Sequence, residues 1–329
     1  MLDGVLNLAR QIDPSVVATP TERPTALTSS PYGYVPALPN VIAYLVVFSL
    51  LTGVHLGLGI RYKYYSALVT MVPGGVLEII GWSGRLWSNL NPLNWNPFIM
   101  QITTLILGPV FFSAWDYTLL GHCIKVLGPQ YSLIAPNWYL IIFVIADIIS
   151  LVLQAVGGGG AAVQAQRFED TTGSTRIMLS GILFQLATTT VFLVMAADFM
   201  YRVVARKPYS ESVRRRFHFT LRKKASAPAP ASASSSAPDS PNPEAEKVLE
   251  VDQKWIRKSQ YLLLGVAWAS VMIYIRGIYR SIELAQGWTG HLMTHEVYFI
   301  WLDGFMMVLC MAGLAVAHPG FLLPRSGWC

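Results

Sequence analysis

Seven stretches of the chain are long, predominantly apolar and bounded by polar or turn-forming residues: 39–60, 67–87, 98–120, 138–156, 177–200, 260–280 and 297–317. A helix that crosses the hydrocarbon layer of a bilayer needs about 20 such residues, and each stretch meets that requirement alone. Seven of them could be buried together only inside a much larger soluble protein. The pattern predicts an all-α integral membrane protein with seven transmembrane helices, occupying residues 39–320. An N-terminal segment, 1–38, precedes the first span and a short tail, 321–329, follows the last. No long apolar run follows a basic start within 1–38, so a cleavable signal peptide is not expected there. Leu2, Val5, Leu6, Ala9 and Ile12 fall near helical spacing, which suits either a short interfacial helix or a frayed tail.

Composition supports the same class. Of 329 residues 53% are hydrophobic and 13% charged, whereas a soluble domain carries about a quarter charged residues. Net charge is +6, but the basic residues are segregated by topology. Segments 61–66, 121–137, 201–259 and 318–329 hold 17 of the 24 Lys and Arg, and the alternate segments hold 4. The positive-inside rule therefore places the N-terminus outside and the C-terminus in the cytosol. Most of the excess sits in the loop 201–259. Its first part, Arg202–Lys224, is a juxtamembrane basic cluster suited to anionic lipid, and no nucleic-acid module is needed to explain it. Residues 225–246 are nearly all Ala, Ser, Pro and acid and are expected to be disordered. Ser240-Pro241 is a weak phosphorylation signal there.

An ionisable side chain at membrane depth is costly, so it marks a site and calls for a partner. Glu78 and Arg85 in span two are seven apart and share a helix face. Span six carries Arg276, Arg280 and Glu283 at i, i+4 and i+7, with Tyr279 alongside, and Glu296 and Asp303 open span seven. Under the predicted orientation these three arginines and four acids converge on the outer half of the membrane. Asp147 with Gln154 forms a second polar face on span four, and Asp147 needs a partner. Asp116 and Asp198 fall near predicted cytosolic helix ends, where contact with water or headgroups is cheap. Two readings suit the outer charges: an ion-pair clamp that holds helices in register, or a polar cavity for a substrate headgroup. An excess of acids over arginines favours a zwitterionic or amine-bearing amphiphile. A proton relay is a third use.

Other signals narrow the class. Gly157 to Gly160 interrupt the end of span four, where irregular backbone would face protein or a watery cavity. Ser49, Gly53 and Gly57 recur every four residues, a small-residue packing face. All lysines lie outside the apolar stretches, which excludes a retinal Schiff base within them. There is no P-loop, no Asp-Arg-Tyr at the end of span three, no Asn-Pro-x-x-Tyr in span seven and no Asn-x-Ser/Thr. Cys123, Cys310 and Cys329 form no disulfide framework or C-x-x-C metal motif. His291 and His295 have i,i+4 spacing without the zincin glutamate, so no metal or other cofactor is expected.

At several of these residues the chain resembles the fungal lipid-translocating exporters, the RTA-like seven-span proteins. The likeness rests on Tyr34-Val35-Pro36, on Glu78-Ile79-Ile80-Gly81-Trp82 with Arg85, and on Gly108-Pro109 with Tyr117. It continues through Asp147 to Gln154 and Gly157-Gly158-Gly159, then Arg276-x-x-Tyr279-Arg280-x-x-Glu283, Gly287, Glu296, Asp303 and His318-Pro319-Gly320. Trp82 stands where tyrosine is commoner in that family. Members are linked to resistance to aminocholesterol and sphingoid long-chain bases and to protoporphyrin uptake. The resemblance implies a multi-pass protein, most simply of the plasma membrane, that moves a lipid-like amphiphile and gives resistance to it. Glu78, Arg85, Asp147, Gln154, Arg276, Tyr279, Arg280, Glu283, Glu296 and Asp303 would then line its charged cavity, and catalysis is not expected. Two rivals share the topology: a seven-span receptor for a lipid-like or porphyrin ligand, and an intramembrane lipid hydrolase using histidine-bound zinc. Oligomeric state is left open.

Overall fold

The computed structural model describes residues 32–167, 169–210, 243–287 and 290–322, with side chains of 243–256 left aside. The expected disorder of 225–242, most of the basic cluster beyond Ser210 and the N-terminal helix at Leu2–Ile12 lie outside these residues. Among the described residues seven helices are long and apolar enough to cross a membrane. They are α1 (Leu38–Tyr62), α2 (Tyr65–Leu90), α3 (Trp95–Leu127), α4 (Pro136–Gln166), α5 (Thr172–Ala205), α6 (Pro243–Ala285) and the composite α7 (Glu296–Leu322). Among the described residues there is no strand. The protein is a multi-pass membrane protein.

The bundle is apolar outside and buries its polar side chains within an apolar core. Buried positions include Thr52, Glu78, Arg85, Asp116, Asp147 and Asp303, while Leu50, Val69, Val152, Val194 and Val316 are exposed. Water would reverse that distribution. In lipid it is the stable one, because exposed apolar groups lose nothing and inward polar groups find partners. Helix α2 packs along both α1 and α3, α4 along α5, and α6 along α3, α5 and α7. Bulky partners meet small residues at these crossings: a side chain at Gly74 would meet Phe112, and one at Gly304 would meet Trp82. Trp82 in turn stacks on Tyr44 at 4.2 Å between ring centroids.

Three expectations change. Helix α3 runs seven residues past Leu120 to Leu127, so Asp116 is not near a helix end. It is fully buried, and Ser270 of α6 donates to its Oδ2 at 2.9 Å. The four glycines do not break α4, which continues without interruption to Gln166. A Cβ at Gly157 would overlap the backbone of Met178, and one at Gly160 would approach Ser174 Oγ to 2.7 Å. Close packing against α5 thus offsets a helix penalty of about 1 kcal/mol per glycine. Finally, α6 starts at Pro243, inside the stretch expected to lack structure. Proline suits a first helical position.

Span seven is not a uniform α-helix. Ile300–Phe305 forms a π-helical turn between α-helical flanks. The Tyr44 hydroxyl donates to the Ile300 carbonyl at 2.8 Å, which satisfies a group at the edge of the irregular turn.

Candidate functional site

The N-terminal end of α1 and of the odd-numbered helices lies at the same end of the bundle as the C-terminal end of the even-numbered ones. There Tyr32 to Ala37 cross the helix ends. The Tyr32 hydroxyl lies 3.0 Å from Ser88 Oγ and donates to Gln101 Oε1 at 2.6 Å. Asn89 Nδ2 donates to the Pro36 carbonyl at 2.7 Å. Burial pushes the Tyr32 phenol up to about 12, against the opposing pull of the Arg85 guanidinium, so its hydroxyl stays protonated and able to donate.

Beneath this strap lie two linked groups of charges. In the first, Arg85 Nη2 donates to the Tyr34 hydroxyl at 2.6 Å and to Glu296 Oε1 at 3.0 Å. Both oxygens of Glu296 also accept from the Ala37 backbone N–H, at 3.0 and 3.1 Å. In the second, Arg280 Nε donates to Asp303 Oδ1 at 2.8 Å and Arg280 Nη1 to Glu283 Oε2 at 2.8 Å. The Tyr279 hydroxyl donates to the other Glu283 oxygen at 2.7 Å. Arg276 Nε lies 2.8 Å from Asp303 Oδ1, and its Nη2 donates to the Leu105 carbonyl at 2.6 Å. Phe299 separates the groups, with the Arg85 guanidinium 4.3 Å from its ring centre and that of Arg280 5.3 Å away. Each cation faces an aromatic quadrupole as well as a carboxylate.

Glu78 is buried near this cluster, within the electrostatic reach of Arg276, Asp303 and Arg280. Its Oε1 makes no hydrogen bond. A Cβ at Gly108 would come within 2.9 Å of that oxygen, so the glycine of α3 leaves room for the carboxylate. An unpartnered buried oxygen is costly unless a ligand, water or proton occupies it.

The structure therefore brings together eight of the ten residues singled out in the sequence. The other two lie elsewhere. Asp147 accepts from the Tyr117 hydroxyl at 3.0 Å, and Gln154 donates to Gln185 of α5 at 2.9 Å. Tyr32, Tyr34 and Phe299 are site residues without a sequence signal as such, and Gln185 is the partner of Gln154 that the sequence does not name. Tyr34 stood in a motif but outside the predicted spans, and an uncharged Phe299 or Gln185 carries no signal of its own. Among the described residues the histidines form no single cluster: His55 Nε2 lies 3.0 Å from the Met311 carbonyl, while the rings of His291 and His295 stack 4.0 Å apart on an exposed turn. Among the described residues no group of three or more His, Cys, Asp or Glu is arranged to hold a metal ion.

Small cavities border the cluster. One of about 30 Å³ is bordered by Arg280 and Glu283 together with Ile102 and Ile106 of α3. Ile102 and Ile106 also border a larger cleft of about 240 Å³ between α3 and α4.

A seven-helix membrane protein with a buried arginine–carboxylate cluster under an N-terminal strap is the class that fold and site define. Residues 71–326 match the RTA1 like protein family, and the chain belongs to it. The chain is 32% identical over 291 residues to the sphingoid long-chain base transporter RSB1 of Saccharomyces cerevisiae, covering 88% of this chain and 73% of that one. It is 24% identical to protein RTM1 of that yeast over 261 residues, with 77% and 70% covered. To protein RTA1 it is 26% identical over 254 residues, with 77% and 66% covered. No solved structure matches.

Proposed function

We propose that this protein moves an amine-bearing, lipid-like amphiphile of the sphingoid-base class across or out of the membrane and so gives resistance to it. The observation that carries the reading is the cluster itself. Arg85, Arg276 and Arg280 face Glu78, Glu283, Glu296 and Asp303, one acid more than the arginines can neutralise, and Glu78 Oε1 is unpartnered. An ammonium headgroup supplies the missing charge and the missing donor. Kinship with a sphingoid long-chain base transporter supports the same ligand class. The cluster lies at the bundle end that the basic-residue bias assigns to the outside of the cell, most simply at the plasma membrane. Protein groups do no covalent chemistry in this reading.

A cavity of about 30 Å³ has room for a water or two and not for an alkylammonium headgroup. The arrangement corresponds to a closed state in which the arginines hold the acids that a substrate would compete for. Opening requires the Tyr32–Ala37 strap to leave Arg85 and Glu296.

The test is flux from reconstituted vesicles of labelled sphingoid base, phospholipid and porphyrin, measured side by side. Sphingoid-base movement above empty vesicles supports the reading. Binding without movement would favour a receptor, and a cleaved product with stoichiometric zinc would favour a hydrolase.

A further inference from the structure

Four consecutive glycines in one transmembrane helix call for a physical reason at each position. Two have one: Gly157 and Gly160 face α5, where a Cβ would meet Met178 and Ser174. The other two do not share it. Gly159 has nothing within 4 Å of a Cβ built on it, and Gly158 has only the flexible Met178 sulfur at 3.0 Å. Both line the 240 Å³ cleft between α3 and α4, together with Ala155, Ala162 and Ala165 of α4. The opposite wall is bulky and apolar, formed by Phe98, Ile102 and Ile106. Large side chains face small ones across an open gap.

On α4 the cleft runs from Leu151 to Ala165, about 21 Å at 1.5 Å per residue. That is more than half of a hydrocarbon layer about 30 Å thick. Gln154 forms a polar point within it. Toward the bundle centre, Ile102 and Ile106 are shared with the cavity that holds Arg280 and Glu283, and Phe98 and Ile102 with the space around Arg85. An apolar slot thus abuts the charged cluster, with only Phe98, Ile102 and Ile106 between them.

We propose that the α3–α4 cleft holds the alkyl chain of the amphiphile whose ammonium headgroup meets the Arg280–Glu283 cluster, with Gly158 and Gly159 as its wall. The proposal rests on the transport reading and adds the tail site and its selectivity. A slot bathed in lipid gains nothing from hydrophobicity alone, because the bilayer is equally apolar. It selects by shape and length instead. Bulk at Gly158 or Gly159 shortens the chain that fits.

The full chain is reconstituted in phosphatidylcholine vesicles, and flux of primary amino alcohols of increasing chain length is compared between wild type and Gly159→Leu. The substitution enters open space and replaces a poor helix former, so the variant melts no lower than wild type. Overfilling a fitted site should lower flux of the longest substrate about tenfold and of the shortest less than about twofold. Unchanged flux at every length, or an equal loss at every length, overturns the tail site. Gly157→Leu, which collides with Met178, should instead lose thermal stability.

A second readout does not depend on flux. An amino alcohol with a diazirine at its chain terminus should label residues 95–107 or 151–165, and unlabelled amino alcohol should compete while excess phosphatidylcholine does not. Label displaced by phosphatidylcholine, or confined to the lipid-facing side of α1, overturns the proposal in favour of ordinary bilayer lipid. Competed label in the cleft without wild-type flux would uphold the site and sink the transport reading alone.

Discussion

Replacing Arg280 by alanine removes the cation that Asp303 and Glu283 share. Taking one partner from a buried ion pair typically costs about 3–5 kcal/mol, because the other charge is left in a poor dielectric. The lower end applies here. Asp303 keeps Arg276 at 2.8 Å, and Glu283 keeps the Tyr279 hydroxyl at 2.7 Å. A loss of about 3 kcal/mol is a large part of the stability of a typical fold, so flux must be read at matched amounts of folded protein. Arg280→Lys retains the charge but not the planar fork that reaches both acids, and should recover part of the stability and part of the flux. The decisive variant is Arg280→Gln combined with Glu283→Gln, which removes one charge of each sign. A pure clamp predicts that the double variant regains both stability and flux. Headgroup recognition predicts regained stability with flux still low. Thermal unfolding and vesicle efflux on the same preparations separate the two outcomes. Wild-type flux from the double variant, or from folded Arg280→Ala, would refute the headgroup assignment.

Further outcomes can be checked more simply. Lys63 ends α1 in the left-handed region at φ 60°, so Lys63→Gly should raise stability by about 0.5–1 kcal/mol in thermal unfolding; a loss would mean the lysine side chain makes a compensating contact. Asp116→Asn removes a buried carboxylate whose Oδ1 has no partner, and should leave the melting temperature unchanged or higher, whereas a marked drop would show that the charge itself is needed. Deleting residues 225–242, which contain only Ala, Ser, Pro, Asp and Asn, should leave the melting temperature of the membrane domain unchanged.

The spans were legible because lipid demands about 20 apolar residues in a row, and composition alone reveals that. Charge pairing was legible in part. Seven-residue and four-residue spacings place Arg276, Arg280 and Glu283 on one face, and the number of unpaired charges on neighbouring spans leaves few partners. Depth and breaks were not. Hydropathy falls before α3 ends and so places Asp116 close to water on pattern alone, whereas the helix continues through a less apolar stretch covered by its neighbours. The glycine run read as a break because single-residue propensity counts against it, while its reason is a tertiary contact with Ser174 and Met178. Nor could uncharged Phe299 announce that it would lie between two guanidinium groups.

The π turn at Ile300–Phe305 gives α7 a built-in rotation between its two ends. Glu296 and Asp303 are seven residues apart, and on a regular helix both would look toward the same neighbour. The π turn, which contains Asp303, winds less per residue, and Glu296 is aimed at Arg85 of α2 while Asp303 is aimed at Arg276 and Arg280 of α6. A single helix thereby tethers two others that do not share its face. Winding the same six residues as regular α-helix would add one residue's rotation and swing everything toward the Glu296 end by about 100° relative to the rest. The N-terminal strap, anchored through Ala37 to Glu296, would be turned away with it, so the pitch of six residues in α7 sets whether the charged end of the bundle can close.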